Sequence, residues 1–228
     1  MDDLVPYARI RPTAERPLAG LTILLVEDSR YASDAVRLLC LRSGARLRRA
    51  DCLASAARHL AVYRPDAALI DLGLPDGSGA ALIADLAASE ARPAAILGLS
   101  GGDPEASEAA ARAAGADGFL AKPVASLAAF QHAILPHLPA ALRPQGPIAV
   151  SDEDVEPDRL ALAEDLARAA GLLDEDPAFA AAFVEGLARA DEDMALLADA
   201  LAAAATGGDP DRLRGALAAR SGGSGMAG

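Results

Sequence analysis

The sequence predicts an α/β fold: a doubly wound, five-stranded parallel sheet carries the chemistry, and a separate, smaller all-α segment follows it. Three observations lead there. Short apolar runs without polar alternation, at residues 21–26 and 67–70, read as strands covered on both faces, the habit of parallel sheets. Amphipathic stretches long enough for the crossovers that parallel strands require lie between such runs. Beyond the stretch LRPQGPIAVSDEDVEP, rich in proline and acids, only helical periodicity remains.

In chain order, residues 1–19 carry Pro6, Pro12 and Pro17 without a sustained period and read as an extended arm, packed loosely if at all. Residues 20–138 form the α/β unit. Its strands are expected at 21–26, 46–50, 67–70, 94–99 and 118–120, and its helices at 29–43, 55–63, 78–89, 105–114 and 126–135. The second strand, within RLRRAD, is polar on one side and suits a sheet edge. In a flavodoxin-like order 2-1-3-4-5 the ligand crevice opens between the first and third strands, at their carboxyl ends. Pro136 and Pro139 end the last helix, and residues 139–156 read as a linker.

Residues 157–228 are the helical segment. Pro157 and Asp158 start a helix with Leu162, Leu166 and Ala169 along one face. Asp176 and Pro177 cap a second, which places Phe183, Leu187, Ala190, Met194, Leu197 and Leu201 along a bundle seam. Gly207 and Gly208 stop it, Asp209 and Pro210 cap a third, and Leu213 and Leu217 continue an apolar face. Such faces pack on one another, on the α/β unit or on a second copy, so a homodimer is among the arrangements they allow.

Aromatic residues make up only 3% of the 228 residues, so the cores rest on Leu, Ile, Val and Ala. The net charge of −12 is unevenly placed: residues 1–150 hold 16 acidic and 15 basic side chains, and residues 151–228 hold 17 and 6. An acidic C-terminal part argues against a DNA-binding output, which needs a basic footprint. Cys40 and Cys52 have neither ligand nor redox spacing and read as packing residues in a reducing compartment. The first residues are unlike a signal peptide, and no charge-free apolar run approaches membrane length, so a cytoplasmic location without membrane contact is expected.

The chemistry centres on AALIDLGLPDGSG, where a strand delivers Asp71 to a turn shaped by Pro75, Gly77 and Gly79. The strand in LTILLVED ends in Glu27 and Asp28, and side by side the two strands crowd three carboxylates together. Crowded acids either keep protons or bind a hard cation. Lys122, in GFLAKPV, is the sole lysine of an arginine-rich chain, as though a compact point charge were needed there.

With those residues in view, residues 20–138 resemble the receiver domain of two-component response regulators. The acidic pair Glu27 and Asp28, Asp71 with Pro75 and Gly79 behind it, the hydroxyl of Ser100, the aromatic Phe119 and the pair Lys122–Pro123 follow the family's order and approximate spacing. The resemblance implies that Asp71 accepts a phosphoryl group from a phosphohistidine on a sensor histidine kinase or phosphotransfer protein. It further implies that Glu27, Asp28, Asp71 and the main-chain carbonyl of Gly73 hold Mg²⁺, and that Lys122 and Ser100 bind phosphoryl oxygens. Phe119 would swing inward when Ser100 moves, a two-state element biased by new charge. Such a domain is a phosphoacceptor in a phosphorelay, able to catalyse its own phosphorylation and dephosphorylation, rather than an enzyme with a separate substrate.

The end of the chain, LRGALAARSGGSGMAG, looks like the central helix of a histidine phosphotransfer domain. Registered on Arg220, its histidine slot is Leu217, and no histidine follows His137, so this segment cannot carry phosphate on histidine. A degenerate phosphotransfer-like fold, an unrelated interaction or dimer module, and a poorly ordered tail all remain open. For the whole chain the expected output is protein interaction. The competing reading is a receiver-like scaffold or adaptor, never phosphorylated, that binds a kinase through its acidic helices. An aspartyl-phosphate phosphatase would need a second Asp where Gly73 stands, and a nucleotide-binding sheet would want a glycine-rich loop in place of Glu27–Asp28.

Overall fold

The computed structural model describes residues 10–149, 153–172, 176, 179, 180, 183, 184 and 187. Its strands and helices alternate as the sequence predicts: β1 Thr22–Val26, α1 Arg30–Ser43, β2 Arg46–Ala50, α2 Leu53–Leu60 and β3 Ala67–Asp71. A hairpin of two short strands follows, β4 Gly73–Leu74 and β5 Gly77–Ser78, and then α3 Gly79–Ala88, β6 Ala95–Ser100, α4 Pro104–Ala113, β7 Gly118–Ala121 and α5 Leu127–Ile134. Past the α/β unit comes α6, Arg159–Leu172.

The main sheet is five-stranded in the order β2-β1-β3-β6-β7, with every pairing parallel. This is the expected flavodoxin-like order, and arginine-rich β2 is indeed an edge. Apolar side chains on both faces of the strands separate into two cores. Leu21, Ile23, Leu25, Leu69, Leu97 and the fully buried Phe130 form one with residues of α1 and α5. Leu24, Val26, Ala68, Ile70 and Ile96 form the other with Ile83 of α3 and Ala111 of α4. Adjacent residues of β1 point into opposite cores, as the period-two geometry of a strand requires.

Strand register positions the site. Val26 pairs with Ile70, so Glu27 and Asp28 leave β1 beside Asp71 at the end of β3. Ser100 pairs with Ala121, and the Lys122 N–H donates to the Ser100 carbonyl at 2.8 Å. Helix α3 comes so close behind Asp71 that a Cβ on Gly79 would lie 1.8 Å from the Asp71 carbonyl oxygen. Only glycine fits there.

Two expectations need correction. The arm is not loose throughout: Leu18 is fully buried in the first core, its N–H bonded to the Ser43 carbonyl at 2.9 Å. Proline content suggests a loosely packed segment, but Pro17, Leu18 and Ala19 are all buried where the arm joins the domain, and the Ala14 carbonyl accepts from the Ala149 N–H at 3.1 Å. Of the arrangements open to the helical segment, its described part takes packing on the α/β unit. Leu166 and Ala169 of α6 pack with Tyr31 of α1, Leu162 and the buried Phe183, Val184 and Leu187. The stretch read as a linker also leads back to the domain, where Val155 is buried in the first core and its N–H donates to the Ala125 carbonyl at 3.0 Å. The third helix and the Arg220 register lie outside the described residues, as does the seam beyond Leu187.

Candidate functional site

Glu27, Asp28 and Asp71 converge as the strand ends dictate. One carboxylate oxygen from each lies within 4.8 Å of the others, and all three residues are buried. Lys122 reaches between them: its amine is 3.0 Å from Glu27 Oε2 and 3.1 Å from Asp71 Oδ2. The Lys122–Pro123 peptide bond is cis. Ser29 N–H donates to Glu27 Oε1 at 3.1 Å, and Gly73 N–H donates to the Asp71 carboxylate.

The electrostatics follow from crowding in a place that excludes water. Burial pushes Glu27 up to about 7, against the pull of Lys122, and the Asp71 charge adds to the rise. Burial also pushes Asp28 up to about 7, and the Glu27 charge reinforces it. Asp71 is raised by burial as well, with Lys122 opposing and Asp28 assisting. Burial alone would lower the Lys122 amine, but Glu27 and Asp71 outweigh it and hold the amine above the ordinary lysine value. Three acids facing one lysine leave uncompensated negative charge in a low-dielectric site.

Asp28 Oδ2 marks where that charge is least satisfied. It is buried and makes no hydrogen bond among the described residues; the Arg168 guanidinium lies 3.4 Å away. An all-oxygen set with an orphaned carboxylate oxygen fits a hard divalent cation such as Mg²⁺. Glu27, Asp28 and Asp71 are the side chains that would hold it.

The other two expected residues, Ser100 and Phe119, are engaged elsewhere.

 The Ser100 hydroxyl accepts from the Gly102 N–H at 3.0 Å and from Ser107 Oγ of α4 at 3.1 Å. Phe119 is half-buried on β7 and packs against the second core, where a Cβ on Gly98 would come within 3.5 Å of its ring. The acids and Lys122 are therefore assembled, whereas Ser100 faces α4 and Phe119 faces the core.

Two participants escaped the sequence reading. Asp165 of α6, 1% exposed, accepts from Ser29 Oγ at 2.8 Å, Arg30 N–H at 3.0 Å and Tyr31 N–H at 2.9 Å. Arg168 donates to the Asp28 carbonyl at 2.9 Å. A signal was present, since an acid at position 165 interrupts the face that Leu162, Leu166 and Ala169 present at helical spacing. Cys40, by contrast, is the packing residue it was expected to be, its thiol pushed up to about 12 by burial.

Comparison with known proteins agrees with this geometry. Residues 23–134 match the family model described as the response regulator receiver domain. Over 101 residues the chain is 37% identical to the KDP operon transcriptional regulatory protein KdpE of Escherichia coli (strain K12), a match covering 44% of each protein. The chain thus spans less than half the length of that relative. Among solved structures it is similar to the receiver domain of sensor histidine kinase PA1611 from Pseudomonas aeruginosa PAO1, at 29% identity and a TM-score of 0.45, covering 50% of this chain and 93% of that one. It is also similar to the signal receiver domain of a signal transduction histidine kinase from Syntrophus aciditrophicus, at 21% identity and a TM-score of 0.48, covering 57% of this chain and 98% of that one. With the sheet order, the three converging acids and the bridging lysine, the match identifies residues 23–134 as a response regulator receiver domain of the two-component type.

Proposed function

We propose that the chain works in a phosphorelay by accepting a phosphoryl group on Asp71 from a phosphohistidine, and that it signals through protein contacts. The observation that carries this reading is the Lys122 amine, held between Glu27 and Asp71 at 3.0 and 3.1 Å. An Asp71 carboxylate oxygen attacks phosphorus, the P–N bond to the donor imidazole breaks, and the imidazole nitrogen leaves with the electron pair and takes up a proton. The product is an aspartyl phosphate. Negative charge on the transferred oxygens then has the Lys122 amine as its partner, and that amine exchanges a carboxylate for a phosphoryl oxygen without leaving its place. When bound, Mg²⁺ supplies charge neutralisation for the incoming phosphoryl group and for the acids. The receiver domain of sensor histidine kinase PA1611 has a magnesium ion coordinated in its active site cleft; in this chain the carboxylates of Glu27, Asp28 and Asp71 are oxygen ligands of the kind a hard dication takes.

Ser100 reaches the phosphoryl group only if its hydroxyl leaves Ser107 and Gly102, which makes its rotation and the position of Phe119 the readout of phosphorylation. The C-terminal acidity, 17 acidic against 6 basic residues over 151–228, supports a protein rather than a DNA partner. The test is transfer from a purified, autophosphorylated sensor kinase in the presence of Mg²⁺, followed on a phosphate-affinity gel. A retarded band that disappears in Asp71→Asn supports the reading. A retarded band that persists in the variant places the phosphate elsewhere and overturns it.

A further inference from the structure

The β1–α1 junction, which supplies two of the three acids, is also where α6 docks. Asp165 accepts from the Ser29 hydroxyl and from the N–H groups of Arg30 and Tyr31, the three residues that follow Asp28. These groups lie at the N-terminus of α1, where unsatisfied N–H donors and the helix dipole favour an anion. The anion is supplied by the chain itself. Three residues further on, Arg168 donates to the Asp28 carbonyl at 2.9 Å, faces Asp28 Oδ2 at 3.4 Å and lies 5.5 Å from the centre of the Phe183 ring. Arg30 and Glu164 add an ion pair of 2.6 Å at the exposed rim. Helix α6 thus brings its own cation to the acid site.

We propose that Arg168 is a resident counter-ion of Asp28 that sets the divalent-cation affinity of the acidic site, so that docking of α6 and cation binding oppose each other. The inference rests on the reading of the three acids as a Mg²⁺ site. Asp28 Oδ2 is buried without a hydrogen bond among the described residues, so the guanidinium offsets its charge while leaving its lone pairs available. A dication on those lone pairs stands close to the guanidinium, and like charges repel strongly where water is scarce. Either Arg168 withdraws with its helix, or the cation binds less tightly. Linkage makes the effect reciprocal: whatever α6 docking costs in cation affinity, the cation returns as weaker docking.

The geometry separates this role from two others. As an unconditional structural clamp, Arg168 would be indifferent to the cation. As an extra phosphoryl ligand, it would leave metal affinity unchanged before phosphate arrives. The test uses the full chain. Calorimetric titration with MgCl₂, without phosphodonor, is compared for the wild type and Arg168→Gln. We expect the variant to bind Mg²⁺ about 10-fold more tightly, within the usual range of coupling between sites. Hydrogen exchange of residues 159–172 in the wild type, with and without Mg²⁺, needs no variant and decides the matter if Arg168→Gln fails to fold. We expect faster exchange on adding Mg²⁺. Equal or weaker binding in the variant, or exchange that is unchanged or slower, overturns the role of Arg168 while leaving the Mg²⁺ site standing. Absence of Mg²⁺ binding in both proteins overturns the inference together with the reading it rests on.

Discussion

The Lys122 amine stands 3.1 Å from Asp71 Oδ2, although β3 and β7 are not neighbours and β6 runs between them. The lysine lies just past the end of β7 and spans the crevice from there to reach Glu27 as well. Its charge is the main local compensation for two buried acids. Removing it leaves those acids to repel each other, or to take up protons.

Lys122→Met tests that dependence. Loss of one partner from a buried ionic cluster costs about 3 kcal/mol. We expect a loss of that order at a pH slightly above neutrality, measured by urea denaturation in EDTA, and partial recovery on adding Mg²⁺. Phosphoryl transfer to Asp71 should fall by a larger factor than stability explains.

The raised acids set a pH dependence. Burial pushes Glu27 and Asp28 up to about 7, so the folded, metal-free domain holds protons that the unfolded chain has released. Stability therefore falls as pH rises from the unfolded carboxylate range through about 7, by at most roughly 1.4 kcal/mol per pH unit for each group, and then levels off. Thermal melts in EDTA should give a lower midpoint at about pH 8 than at about pH 5.5. Mg²⁺ requires the ionised acids, so the stabilisation it confers should be greater at the higher pH.

Asp165→Ala removes three hydrogen bonds at the start of α1. A lost helix cap with buried donors costs about 2 kcal/mol. We expect global stability to fall by that order and limited proteolysis to cut within residues 159–172 sooner than in the wild type. Unchanged proteolysis would mean that the apolar contacts of Leu166 and Ala169 hold α6 without the cap.

Gly79→Ala places a methyl group 1.8 Å from the Asp71 carbonyl oxygen, so either the start of α3 or the end of β3 must move. Overpacking of this kind costs about 1–3 kcal/mol. Displacing the nucleophile by about 1 Å costs on the order of 100-fold in rate. Phosphorylation kinetics should therefore suffer more than the denaturation midpoint.

Legibility from sequence followed the range of the forces involved. Strands such as Ala67–Asp71 are apolar runs, and their order follows from right-handed crossovers, so the ends of β1 and β3 could be brought together without coordinates. Lys122 was visible because it is the sole lysine. The hairpin Gly73–Leu74 and Gly77–Ser78 is too short to leave a periodic trace. Leu18 was hidden behind prolines, which suggest a loose arm however the next residue packs. Docking of Asp165 on Ser29 joins residues 136 apart in the chain, and no local pattern pairs them. What the sequence did contain was an acid on an apolar helix face, a sign that some buried donor awaits it.

The most direct measurement is intact mass after incubation with acetyl phosphate and Mg²⁺, for the wild type and Asp71→Asn. The account predicts a labile gain of one phosphoryl group, about 80 Da, in the wild type and none in the variant. An equal gain in both proteins, or no gain in the wild type even with a cognate kinase supplied, would contradict the assignment of Asp71 as the phosphoacceptor.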